Sequence, residues 1–303
     1  MMCKILGVKR SNYYKWLHHE RSVRDLENEE LAELIKKYHE KFNGLLGYRM
    51  MTDRINRDEN KHYNEKQVYK VMRILGIQSI TRPKRRSCTV RKNNNTAKNV
   101  LDRDFNATRP NEKWVTDVTE FKYGPKNEHK LYFSAFLDLY DRSIIGYEYS
   151  NSNNNPLVFN TFENAISKNP DAHPMFHSDG GFQYTSPTFV NMLKDQGMEQ
   201  SMSRVHCCLD NGPMEGFWGI MKCEMYHYGK HYNTKEELIK AIEEWIHYYM
   251  YERYQRRFGV RTPYEVRMAA LVVETPIQYP IPENKRIIKY KQEHYKYTDA
   301  LNA

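Results

Sequence analysis

A chain of 303 residues has room for about two domains at roughly 150 residues each. Hydrophobic residues make up 40% and aromatic residues 13%, enough to bury a core and too many for a disordered chain. Lys and Arg number 47 against 38 Asp and Glu, a formal charge of +9, which favours a polyanionic partner because Lys and Arg displace counterions condensed on phosphates.

Residues 1–77 read as an all-α domain. Leu31, Leu34, Ile35 and Tyr38 recur at helical spacing. Gly47-Tyr48-Arg49 opens a second helix with Met50, Met51 and Ile55 apolar. A third covers about 64–75, with Val68, Val71, Met72 and Leu75 on one stripe and Gly76 suited to its C-cap. Short basic helices with tight joints fit a helix-turn-helix module, and the same pattern fits an ordinary helical bundle. A basic linker is expected over 78–108. Arg82, Lys84, Arg85, Arg86, Arg91, Lys92 and Lys98 fall within 78–100 with no acid among them. That stretch is either a solvated tether or an arm that tracks phosphates.

From Lys113 the period becomes that of strands. Runs over 114–123, 130–140 and 143–149 predict an antiparallel meander, with a turn at Asp141-Arg142. A helix over 156–168 follows, with Val158, Phe159, Phe162 and Ile166 apolar. Short strands at 174–178 and 198–203 flank a helix over 187–196. Pro213 opens another helix, and 236–251 forms one more, with Leu238, Ile242, Trp245 and Tyr249 on its inner stripe. Three antiparallel strands followed by alternating helices and strands is the order of a ribonuclease-H-like α/β domain, assigned to 109–270. Residues 271–303 are a basic, Tyr-rich tail, and no periodic signal emerges over 252–303.

The five cysteines, Cys3, Cys88, Cys207, Cys208 and Cys223, are odd in number and include no CxxC. A disulfide framework or four-ligand zinc site is not expected, and free thiols fit a reducing cytosol. His206-Cys207-Cys208 has metal-binding side chains, but consecutive residues rarely converge on one ion. No run of 18 apolar residues and no cleavable leader is found, so neither a membrane span nor a signal peptide is expected.

Three carboxylates stand out. Asp117 interrupts the strand-like run Val115-Thr116-Asp117-Val118-Thr119, where Asp is disfavoured and a buried carboxylate needs a partner. A salt bridge or an edge position would explain it equally. Asp179 follows a strand and precedes Gly180-Gly181, at the carboxyl end where sites form in open α/β sheets. A plain Asp-Gly turn is the alternative. Glu215 takes the capping-box position of the helix that Pro213 opens, but Gly212 has no hydroxyl to complete the box. Acids on two strand ends and a neighbouring helix can converge. They repel unless cations neutralise them, and hard oxygen ligands suit Mg²⁺ or Mn²⁺. Two such ions, about 3.5–4 Å apart, can activate a nucleophile and stabilise the leaving oxygen of a phosphodiester. Lys222, seven residues after Glu215, comes round to within about 20° of it after two helical turns, and is expected to meet a DNA phosphate. Glu224, nine residues on, is expected to face away, to bind no metal and to be dispensable.

Trp114-Val115-Thr116-Asp117-Val118-Thr119, His177-Ser178-Asp179-Gly180-Gly181-Phe182-Gln183-Tyr184-Thr185, Ser201-Met202-Ser203-Arg204 and Asp210-Asn211-Gly212-Pro213-Met214-Glu215-Gly216-Phe217-Trp218 closely resemble the second-frame product of bacterial IS-three-type insertion sequences. These are DDE transposases of the retroviral-integrase superfamily. The resemblance extends from Leu6-Gly7-Val8-Lys9-Arg10, through a helix-turn-helix region at 27–85, to Thr262-Pro263-Tyr264-Glu265. Thirty-five residues separate Asp179 from Glu215, as the family pattern requires.

The resemblance implies an integrase-type core, a mixed sheet flanked by helices, preceded by an all-α helix-turn-helix domain. It implies that Asp117, Asp179 and Glu215 bind two Mg²⁺ (or Mn²⁺) ions. The activity implied is cleavage of double-stranded DNA at terminal inverted repeats and transfer of the 3′-hydroxyl to target DNA by a homo-oligomer, in the bacterial cytoplasm at the nucleoid. DNA contacts are expected from Lys222, Arg204, Lys84, Arg85, Arg86, Arg91 and Lys92. In this family a short upstream frame encodes another helix-turn-helix and an oligomerising helix, and a programmed frameshift fuses it to the second frame. One departure is His206-Cys207-Cys208, where the family usually has Gly-Asn-Cys. Two other readings are a DNA-binding remnant or regulator with an impaired core, which that loop keeps open, and a ribonuclease-H-like nuclease that cuts without joining.

Overall fold

The computed structural model describes residues 2–5, 7–18, 22–79, 98–204, 208–226, 230–281 and 288. It divides into two units, Met1–Pro83 and Lys84–Ala303.

The first unit is helical among its described residues: α1 (Met2–Ile5), α2 (Arg10–Leu17), α3 (Val23–Lys41), α4 (Tyr48–Asp58) and α5 (Glu65–Ile74). Ser22 and Asp25 start α3 as a reciprocal capping box, and the Asn64 side chain caps α5. Gly76, at φ +68°, ends α5 in the left-handed conformation that glycine adopts without strain. Leu31, Ile35 and Tyr38 of α3, Met51 and Ile55 of α4, and Val68, Val71 and Met72 of α5 are buried as the three helices pack together. Leu34, Met50 and Leu75, also expected inside, are half-buried.

The second unit is built on a five-stranded sheet of order β3-β2-β1-β4-β5. β1 (Lys113–Tyr123), β2 (His129–Asp138) and β3 (Ile144–Ser150) form the antiparallel meander. β4 (Met175–Ser178) runs parallel to β1, and β5 (Gln200–Met202) parallel to β4. Helices cover both faces, which gives the mixed-sheet α/β core expected from the element order. Side-chain alternation divides the strands between two cores. Trp114 and Phe136 pack with α6 (Asn155–Lys168) and α7 (Pro187–Asp195). Val115, Phe133, Ala135 and Leu137 pack with α8 (Gly212–Met225), α9 (Lys235–His247) and α10 (Pro263–Leu271), and Leu101, Phe105 and Ala107 join them. Burying each large side chain here contributes about 1.5–3 kcal/mol.

Two elements differ from expectation. The helix expected over 236–251 ends at His247 and continues as one π-helical turn, Tyr248–Glu252. α10 lies in the stretch that carries no periodic signal. Its start is a full capping box, Thr262 with Glu265, behind Pro263. The periodicity fails because α10 is apolar on two sides. Val266 and Ala270 face the core while Tyr264, Met268 and Leu271 are exposed. No helix among the described residues is long and apolar enough to cross a membrane.

Candidate active site

The parallel register of β1 and β4 matches Val115 with His177. Asp117 stands two residues further along β1, and Asp179 two residues beyond His177, just past the carboxyl end of the neighbouring β4. Both are half-buried. Tyr184, fully buried behind them, has its hydroxyl 3.1 Å from Thr116 Oγ1. Burial pushes that phenol far up, and the charges of Asp179 and Asp117 push it further. One buried hydroxyl therefore senses both carboxylates.

Each aspartate is oriented by donors. Asp117 Oδ1 accepts from the Val118 N–H at 2.8 Å, and Oδ2 accepts from the Trp218 indole N–H at 3.1 Å. Asp179 Oδ1 accepts from the Gly181 N–H at 2.9 Å. A Cβ at Gly181 would stand 2.9 Å from that same oxygen. A side chain at position 181 would therefore crowd the Asp179 carboxylate, which favours glycine there.

Glu215 is exposed in the first turn of α8, and its carboxyl is raised by partial burial alone. Asn211 caps no helix amide. Its Nδ2 donates instead to the Thr116 carbonyl at 2.9 Å. The segment carrying Glu215 therefore lies against the strand carrying Asp117. Among the described residues, no three His, Cys, Asp or Glu side chains are gathered closely enough to hold a metal ion.

The neighbouring polar groups have other work. His177 is buried, with Nδ1 2.9 Å from Ser201 Oγ and Nε2 3.1 Å from Ser203 Oγ. Desolvation lowers its pKa to about 4, so it is neutral at physiological pH. Burial raises the carboxyl of Asp210, but hydrogen bonds from Arg204 and Arg103 outweigh that and hold it low. Arg103 Nε approaches Asp210 to 2.6 Å with both side chains out of solvent. The carboxylate oxygens of Asp117, Asp179 and Glu215 are hard donors, of the kind that suits Mg²⁺ or Mn²⁺ over softer metals.

The residues expected to touch DNA are distributed unevenly. Lys222 holds its ammonium 5.4 Å from the ring centre of Phe121, further along β1 from Asp117. Arg204 is engaged with Asp210 at 2.9 Å and Asp102 at 3.1 Å, with about a third of its side chain exposed at 36%. Lys84, Arg85, Arg86, Arg91 and Lys92 lie outside the described residues, as do His206 and Cys207. On α5 the exposed residues Lys66, Tyr69, Lys70 and Arg73 share one face by helical spacing. Sequence reasoning overlooked this face, although the same stripe that buries Val68, Val71 and Met72 defines it as the outer one.

Glu224 is engaged within the fold. It accepts from Trp245 Nε1 at 2.9 Å and from Arg253 at 2.9 and 3.1 Å, tying α8 to α9 and the turn beyond. Its removal would strip a half-buried guanidinium of its carboxylate.

Comparison with known proteins identifies the family of the chain. An integrase core domain family model matches residues 107–208, a second integrase core domain model matches 215–281, and an HTH-like domain model matches 26–85. The chain is 42% identical to transposase InsK for insertion sequence element IS150 of Escherichia coli, over 76% of this chain and 80% of that protein. It is 40% identical to a transposase-like protein of Haemophilus influenzae, over 69% of this chain and 94% of that one. Among solved structures, that of a simian T-cell lymphotropic virus intasome in complex with a PP2A regulatory subunit aligns with a TM-score of 0.48 and 17% identity. It covers 84% of this chain and 80% of that chain. The HTLV-2 integrase catalytic core domain in complex with magnesium aligns with a TM-score of 0.41 and 18% identity, over 52% of this chain and 97% of that one.

Proposed function

The chain belongs to the IS-three-type transposases of bacterial insertion sequences, DDE enzymes of the polynucleotidyl transferase kind, and we propose that it cuts its element at the terminal inverted repeats and joins the freed 3′-hydroxyl to target DNA. The observation that supports this reading is that Asp117 on β1 and Asp179, just past the end of β4, lie on neighbouring parallel strands, with the helix of Glu215 fastened to β1.

In this reading Asp117, Asp179 and Glu215 hold two Mg²⁺ or Mn²⁺ ions. Bound there, the ions supply Lewis acidity to the scissile phosphate and lower the pKa of the attacking hydroxyl. Water attacks in the first reaction and the P–O3′ bond breaks, leaving a 3′-hydroxyl. That hydroxyl attacks the target phosphodiester in the second, and the target's own 3′ oxygen leaves. The protein's share is to hold the carboxylates in place and to orient DNA. Lys222, two turns beyond Glu215, contacts a phosphate near the scissile bond. The α5 face with Lys66, Tyr69, Lys70 and Arg73 lies on duplex DNA, and further copies of the chain complete the assembly.

The test is incubation of the chain with duplex carrying the terminal repeat and target DNA, with Mg²⁺ or with EDTA. Cleavage at the repeat end and joined products, both lost in EDTA, are expected. Cleavage without joining would leave a nuclease, and binding without cleavage a regulator. Two variants refine the DNA contacts. Lys222→Ala should weaken end binding and flatten its salt dependence by about one phosphate contact, read as the slope of log affinity on log salt. Equal slopes for variant and wild type would sink the contact. The double variant Lys70→Ala, Arg73→Ala should flatten the slope by about two contacts, while the midpoint of thermal unfolding holds because both positions are exposed. An unchanged slope would move DNA recognition off α5.

A further inference from the structure

Two hydrogen bonds fasten the segment of Glu215 to the strand of Asp117. Asn211 Nδ2 donates to the carbonyl of Thr116, one residue before Asp117, at 2.9 Å. Trp218 Nε1 donates to the Asp117 carboxylate itself, at 3.1 Å. Glu215 lies between these ties, four residues after the first and three before the second. We propose that Trp218 is a positioning residue, whose indole N–H sets the plane of the Asp117 carboxylate and its spacing from Glu215.

The packing explains why an indole can do this. The ring is 6% exposed and wedged edge-on against Phe133 at 5.6 Å and tilted against Phe217 at 4.9 Å. It cannot swing away, so its one polar atom has a fixed aim. An indole nitrogen only donates, and a carboxylate oxygen only accepts, so the pairing has one sense. A phenylalanine would fill most of the same core space, as Phe217 does next to it. The N–H is the part that packing leaves unexplained, and it points at a carboxylate rather than at backbone. With Val118 N–H on the other oxygen at 2.8 Å, the carboxylate is held from both sides. Partners that orient metal-binding side chains change metal affinity by about 10–100-fold when removed.

This inference rests on the reading of Asp117, Asp179 and Glu215 as metal ligands, and the experiment separates the two. The full chain has four tryptophans, Trp16, Trp114, Trp218 and Trp245, hence four indole signals in a ¹⁵N-labelled NMR spectrum. The Trp218 signal is the one lost in Trp218→Phe. It should move when Mg²⁺ is added to wild type and stay still in Asp179→Asn. A second variant, Trp218→benzothienylalanine, keeps the ring's shape and removes the donor. It should unfold at the wild-type temperature, yet need about tenfold more Mg²⁺ for half-maximal end cleavage. A Trp218 signal indifferent to Mg²⁺, or an analogue with wild-type Mg²⁺ dependence, overturns the inference if Asp179→Asn is inactive, and leaves the metal reading standing. Wild-type cleavage by Asp179→Asn overturns both.

Discussion

Asp179→Asn and Glu215→Gln should each lower cleavage and joining by about a thousandfold or more, while the chain still binds end DNA. An amide keeps the shape of a carboxylate but brings no charge to offset a divalent cation. Lewis-acid stabilisation of a phosphoryl transfer is worth several kcal/mol, and each 1.36 kcal/mol is tenfold in rate. Asn at 179 can still accept the Gly181 N–H through its own oxygen, so the turn survives. Glu215 is exposed, so its amide disturbs little packing. Asp117→Asn should lose as much activity but some stability as well. Both Asp117 oxygens receive N–H donors, from Val118 and Trp218, and an amide must turn its NH₂ toward one of them. The check is single-turnover cleavage of a labelled repeat in Mg²⁺, beside a binding isotherm. Wild-type rates in either variant would remove that residue from the site.

What the sequence made legible is local. The acids could be found because each breaks a local rule: Asp117 an acid in a strand, Asp179 at a strand end before two glycines, Glu215 in a capping position with no cap residue. The strands follow from two-residue alternation, and their sheet order from the short turns of the meander. Partnerships between distant residues leave no such trace. Trp218 meets Asp117 across 101 positions, and nothing near either residue announces the other. Arg204, expected to contact DNA, is bonded to a buried carboxylate six residues on. Helix geometry gives a direction for Glu224 but says nothing about the neighbour it meets. α10 had a legible start in Thr262-Pro263-Tyr264-Glu265 and no single apolar stripe to confirm it.

Asp141 shows the same limit and yields the largest expected change in stability. It was read as a turn residue, and it does accept the Ser143 N–H at 2.7 Å. But Asp141 and Asp138 are both wholly buried, and Arg267 of α10 reaches them at 3.0 and 3.1 Å from 126 and 129 positions away. Its other nitrogen bonds Asn111 at 2.6 Å and Asn169 at 2.8 Å. Arg267→Met should therefore destabilise the chain by about 3–5 kcal/mol, because it leaves buried carboxylates without their cation. For a unit of this size that is a fall of roughly 6–20 °C in unfolding midpoint. The loss should depend on pH. Burial, and then the charge of Asp138, push the Asp141 carboxyl up to about 7, and burial raises Asp138 as well. A carboxyl raised in the folded state keeps a proton that the unfolded chain has released, so its contribution is full below about pH 4 and is lost as pH climbs to about 7. Arg267 pulls both carboxyls down. Without it they rise further and the loss continues above pH 7. The deficit of Arg267→Met should accordingly be smaller at pH 5, where folded Asp141 keeps its proton and needs less of the cation, than at pH 8. Thermal unfolding of wild type and variant at both pH values reads this directly. An equal deficit at pH 5 and pH 8 would contradict the raised carboxyls, and an unchanged midpoint at pH 8 would show that Arg267 does not anchor α10 to the sheet.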